Sequence, residues 1–149
     1  MENILFFETI TQPKGFLSYL PIFILILILS GLLIGLAFSI KNSSISIKDN
    51  EIIIKTLFYG RKIPINDVLK NEIQKINLTQ NKDYNISIRT NGIGLPNFHS
   101  GWMRLNNGKK ALVCLTNKEN VILIPTNDYV ILFSMEKAEE FINIINGLK

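Results

Sequence analysis

The chain is expected to form one N-terminal membrane-spanning α-helix followed by a mainly-β domain, an antiparallel barrel or sandwich of six or seven strands capped by a C-terminal α-helix. Three observations predict this. Residues 16–40, FLSYLPIFILILILSGLLIGLAFSI, carry no charge between Lys14 and Lys41. Beyond them, short β-branched and apolar runs are broken by turn residues at intervals of about 8 to 12, the spacing of antiparallel β domains. After Met135 the apolar period lengthens to that of a helix. The chain therefore divides into a short segment over 1–15, the span over 16–40 and a β domain over 43–149.

At about 1.5 Å per residue the span reaches roughly 37 Å, more than the ~30 Å hydrocarbon core of a bilayer. FILILIL would favour a strand in water, but a bilayer demands that the backbone close its own hydrogen bonds, and a helix does so. Pro21 falls in the first turns, where its missing N–H costs little. Gly31 and Gly35 form a small-xxx-small spacing through which a second copy of the helix can approach, giving a homodimer. A cleaved signal peptide is the weaker reading, since the apolar run is too long and Glu2 and Glu8 precede it. Upstream there is only Lys14, whereas Lys41, Lys48, Lys55, Arg61 and Lys62 follow closely. Basic residues resist translocation, so the expected placement is a single-pass cell-membrane protein with its N-terminus outside and its domain in the cytoplasm.

Along the domain, SISI (44–47) and the run from Ile52 flank the turn KDNE and read as a first hairpin. Residues 63–73 are ambiguous, with Asn66 and Asp67 able to cap a short helical turn. INL (76–78) and ISIR (86–89) read as strands, and Thr90 to Gly101 as a long irregular loop. WMRL and ALVCLT flank Asn107-Gly108, whose residue types suit a type I′ turn. VILIPT and YVILFS pair across Asn127-Asp128. Ser134 is then the expected N-cap of the closing helix, whose stripe Ala138, Phe141, Ile142, Ile145 and Leu148 would plug the barrel.

A more specific likeness lies in Arg89, Asn91-Gly92, Gly94, Pro96, Phe98 and Gly101-Trp102, followed by Asn107-Gly108, Ala111, Thr116, Ile124, Thr126, Ser134 and Phe141. With strands and a terminal helix in this order, residues 43–148 resemble the bacterial PH (pleckstrin homology) domain family. The chain departs from the pattern at Asn97, where glycine is expected after the proline. The resemblance implies a PH-like barrel and a non-enzymatic binding module.

Composition restricts the chemistry. The chain has one Cys and one His, so no Cys/His metal set can form and neither a metal nor another cofactor is expected. No catalytic residue is nominated. A sortase-like enzyme would need Cys114, His99 and an arginine together, yet Cys114 lies within an apolar strand and Arg89 and Arg104 both precede it, against that family's order. GIG is not followed by a helix that could receive a phosphate. Nucleic acid is not an expected partner, because no basic stripe with interleaved aromatics is present.

What the sequence offers for binding is Arg89, Asn91, Phe98, His99, Trp102 and Arg104, apolar and cationic groups that suit a peptide or carboxylate. Lys41, Lys48, Arg61 and Lys62 could face anionic headgroups. The expected function is thus a membrane-anchored PH-like module that binds or scaffolds a protein or peptide partner. A membrane-surface sensor of anionic lipid or a small ligand is the alternative, and a sortase-like cysteine enzyme the remote one.

Overall fold

A run of apolar residues must satisfy its own backbone, and in the computed structural model of the chain the run from Phe16 does so as a helix. The structure describes residues 15–41, 43–56 and 58–147. The segment over 1–14, Leu148 of the terminal stripe and the side chain of Lys41 lie outside the described residues. The chain divides into two units, Met1–Ala37 and Phe38–Lys149.

In the first unit a 3-10 turn, Phe16–Tyr19, leads into α1, Leu20–Lys41. Pro21 is the second residue of α1, where no intrahelical N–H bond is lost. Phe16–Gly35 is long and apolar enough to cross a membrane. The Ser30 hydroxyl donates to the Leu27 carbonyl at 2.9 Å, so this polar group is satisfied within the helix.

The second unit contains two sheets. Strands β1 (Ser44–Lys48), β2 (Glu51–Lys55) and β3 (Arg61–Pro64) form an antiparallel sheet in that order. Asp49 and Asn50 join β1 to β2 with φ of 51° and 61°, a two-residue turn whose side chains tolerate the left-handed region.

 

The six-stranded sheet comprises β4 (Gln74–Ile76), β5 (Ile86–Leu95), β6 (Phe98–Leu105), β7 (Lys110–Leu115), β8 (Val121–Pro125) and β9 (Val130–Ser134), in the order β4-β8-β9-β7-β6-β5. All its pairings are antiparallel except β7 with β9, which is parallel. The domain is therefore mainly β with a C-terminal helix, as expected, but its two sheets do not close into a barrel. Among the described residues there are nine strands rather than six or seven; β3, RKIP, went unread because a short polar run ending in proline carries little apolar period.

Thr90 to Gly101 is not an irregular loop. It is most of the β5–β6 hairpin, whose turn is Pro96-Asn97. The φ of Asn97 is not positive, so the turn places no demand for glycine there. Register shifts at Ser87 and Thr90 bulge β5 and coil the hairpin. Gly92 and Gly101 face each other across it, and a Cβ at Gly92 would lie 2.5 Å from the Ser100 carbonyl oxygen. Gly101 also holds a φ of +119°, which glycine alone adopts readily. Asn107-Gly108 does make a hairpin, but only Gly108 has positive φ, at 80°. Leu105 N–H bonds the Lys109 carbonyl and Gly108 N–H the Leu105 carbonyl, giving a three-residue loop with a glycine bulge instead of a type I′ turn.

Two apolar cores follow from the sheet order. On one face, Leu112, Cys114, Ile122, Ile124, Ile131 and Phe133 pack with Ile52, Ile54 and Ile63 of the first sheet. α2, Ala138–Gly147, adds Ala138, Phe141 and Ile145 to this same core, so its stripe covers a sandwich face and does not plug a barrel. On the other face, Val113, Leu115, Val121, Leu123 and Leu132 meet Leu78, Met103 and Leu105. β8 is consequently buried throughout, and β7 and β9 nearly so.

Ser134 is not the N-cap of α2, which begins four residues later. Its hydroxyl accepts from Thr116 N–H at 3.1 Å and Asn117 N–H at 3.2 Å, and donates to the Asn117 carbonyl at 2.8 Å. It thereby holds the β7–β8 connection across the end of β9. Ser134→Ala should cost about 1–3 kcal/mol through the groups left unpaired, and Ile145→Ala about 2–5 kcal/mol through the cavity it opens. Chemical denaturation followed by the fluorescence of Trp102 checks both values.

Candidate functional site

Alternation along β6 decides which side chains meet. His99 is opposite Leu115, Ser100 opposite Cys114, Trp102 opposite Leu112 and Arg104 opposite Lys110. Leu112 and Cys114 belong to the core between the sheets, and Leu115 to the other. Trp102 and His99 therefore look to opposite faces. On β5, Asn91 pairs with Trp102 and Arg89 with Met103, so Asn91 joins the tryptophan side and Arg89 the histidine side. Phe98 is only 4% exposed, which removes it from contact with a ligand in solution. The six residues selected from sequence thus do not form one cluster.

On the first side, Trp102 meets Tyr129 edge-on at 4.9 Å. Arg61 lies 5.4 Å and the Lys110 ammonium 4.3 Å from the tryptophan ring centroid, both within cation–π range. Arg61, assigned from sequence to a membrane-facing patch, is therefore turned toward Trp102. Lys48 and Lys62 instead share the solvent face of the first sheet with Lys55. The Tyr59 hydroxyl donates to Asn91 Oδ1 at 3.2 Å. Burial raises the Tyr129 phenol above its usual pKa; Arg61 opposes the rise, while Asp128 and Asp67 add to it. Arg104 is exposed beside this group.

On the second side lies a cavity of about 610 Å³, within the range of small-ligand sites. Leu78, Ile86 and Leu115 give it an apolar floor, while Asn85, Asn97, Asn106 and Asn117 give it amides. His99 and Lys118 complete the polar wall, and among the described residues no carboxylate lines it. Arg89 adjoins this wall: a Cβ placed at Gly94 would sit 3.2 Å from Arg89 Nη1 and 4.0 Å from His99 Cδ2. Partial burial, then the charges of Lys118 and Arg89, lower the His99 pKa from 6.5, so the neutral imidazole is favoured. The four asparagines and Lys118 escaped the sequence reading because they come from connections far apart in the chain, where asparagine is ordinary turn chemistry.

Cys114 is buried, and burial raises its thiol pKa despite a hydrogen bond with Ser43. It faces away from His99 across the sheet, so the cysteine–histidine contact of a sortase-like enzyme is not formed. Among the described residues no three His, Cys, Asp or Glu side chains come together as a metal site.

The family model described as Bacterial PH domain matches residues 43–148. No curated protein and no solved structure matches the chain.

The lowered His99 pKa has a defined effect on stability. As pH falls, the unfolded chain takes up this proton before the folded one, so the contribution of His99 is lost on acidification. It is restored as pH rises from the lowered folded value through 6.5. Denaturation of the His99→Gln variant between about pH 5 and 7.5 should show a flatter rise in stability than the parent chain.

Proposed function

The chain belongs to the bacterial PH domain family, and from that premise we propose that it is a membrane-anchored, non-catalytic module that binds a protein or peptide partner at the cytoplasmic surface. The observation that carries the proposal is the charge-free helix Phe16–Gly35 placed a few residues before a domain of this family. The PH-like fold supports a binding role. The basic residues that follow the helix support a cytoplasmic domain. Within the bilayer, Gly31 and Gly35 leave room for a second copy, since a Cβ at either position would meet nothing within 4 Å. A fluorescent-protein fusion after Lys149 should be bright and an alkaline phosphatase fusion there inactive; the opposite pair of results overturns the orientation. Photocrosslinking from Asn97 in native membranes should yield a discrete adduct with a protein or peptide.

The second reading, contact with anionic lipid, is favoured by Lys48, Lys55 and Lys62 on the outer face of the first sheet, where Glu51 and Asp49, the latter 3.8 Å from the Lys48 ammonium, are the opposing charges. If it holds, residues 41–149 should sediment with anionic but not neutral vesicles, and the bound fraction should fall as salt rises. Equal sedimentation with both vesicle types would exclude it.

A further inference from the structure

The cavity on the second face of the six-stranded sheet combines features that point to a particular ligand chemistry. Its charged group is cationic, its floor is apolar and its walls carry amides that can both donate and accept. Among the described residues, neither Lys118 nor Arg89 forms an ion pair, so their positive charge is not already neutralised by a neighbouring carboxylate. The side chains of Asn85 and Asn97 have no hydrogen-bond partner within the described chain. Asn106 Nδ2 donates to the Lys82 carbonyl, which leaves its Oδ1 to accept, and Asn117 Oδ1 accepts from Asn120 N–H, which leaves its Nδ2 to donate.

We propose that this cavity receives the free carboxylate end of an extended peptide, with Lys118 and Arg89 facing the carboxylate and Asn85, Asn97, Asn106 and Asn117 meeting the peptide groups behind it. The inference rests on the peptide-binding reading above and specifies which part of the partner is held. A carboxylate supplies the charge the cavity lacks, and charge-assisted hydrogen bonds to it are stronger than neutral ones. Half-buried Ile86, lying over the buried Leu78 and Leu115, offers the last side chain of the peptide an apolar contact. His99, neutral at physiological pH, can give and accept one hydrogen bond without competing for the negative charge. The anchor of this interaction is separate from the Trp102 side, because strand alternation puts the two on opposite faces.

The test uses the full chain in nanodiscs of neutral lipid and a fluorescent pool of random hexapeptides, prepared once with free C-terminal carboxylates and once amidated. The free-acid pool should bind at least about tenfold more tightly than the amidated pool. Lys118→Gln and Arg89→Gln should each remove most of that difference, while Lys62→Gln, on the other sheet, should leave it intact. Unchanged Trp102 fluorescence shows that the variants remain folded. Equal binding of both pools overturns the carboxylate assignment and leaves peptide binding standing; binding of neither overturns both. If N-acetylalanine binds as tightly as the free-acid pool, the ligand is a small carboxylate and the peptide part of the inference fails.

Discussion

Strand β9 hydrogen-bonds along both its edges, parallel to β7 and antiparallel to β8, and so separates two strands that are consecutive in sequence. This insertion determines the interior of the domain. Three central strands with partners on both sides can be buried on both faces, and each face then needs its own cover. The first sheet and α2 cover one; the segment from Ile76 to Ile86 and the coiled β5–β6 hairpin cover the other. The β7–β8 connection must pass over the end of β9, and Ser134 satisfies the backbone groups exposed by that crossing.

The hairpin has a second consequence, for recognition. Its glycines permit the backbones to approach closely, and its bulges turn the strands round the second core. One face of β6 thereby presents Trp102 between Arg61, Lys110 and Tyr129, a cationic and aromatic group bridging the two sheets. The other presents His99 to a concave, amide-rich wall. Neighbouring residues on one strand serve different surfaces because successive side chains point in opposite directions.

The same alternation limits reactivity. Cys114 lies where a thiolate would be poorly solvated, and the sheet itself separates it from the imidazole.

Four features are legible from neighbouring residues alone: the apolar helix, the Asp49-Asn50 turn region, the apolar strands from Ala111 to Ser134 and the amphipathic terminal stripe. Each is written in residues that act over a few positions, through hydropathy, period or turn preference. Tertiary structure decided the rest. Thr90 to Gly101 reads as a loop because glycines, asparagine and proline interrupt its period, yet cross-strand pairing with β6 makes it extended. The same pairing set Trp102 and His99 on opposite faces and brought Asn85, Asn97, Asn106, Asn117 and Lys118 from distant turns to one cavity. Ser134 at the head of a helical period suits an N-cap, but the crossover above it supplied nearer backbone partners. Strand order and register are long-range choices, made by whichever arrangement buries both faces of the central strands, and no short stretch of sequence records them.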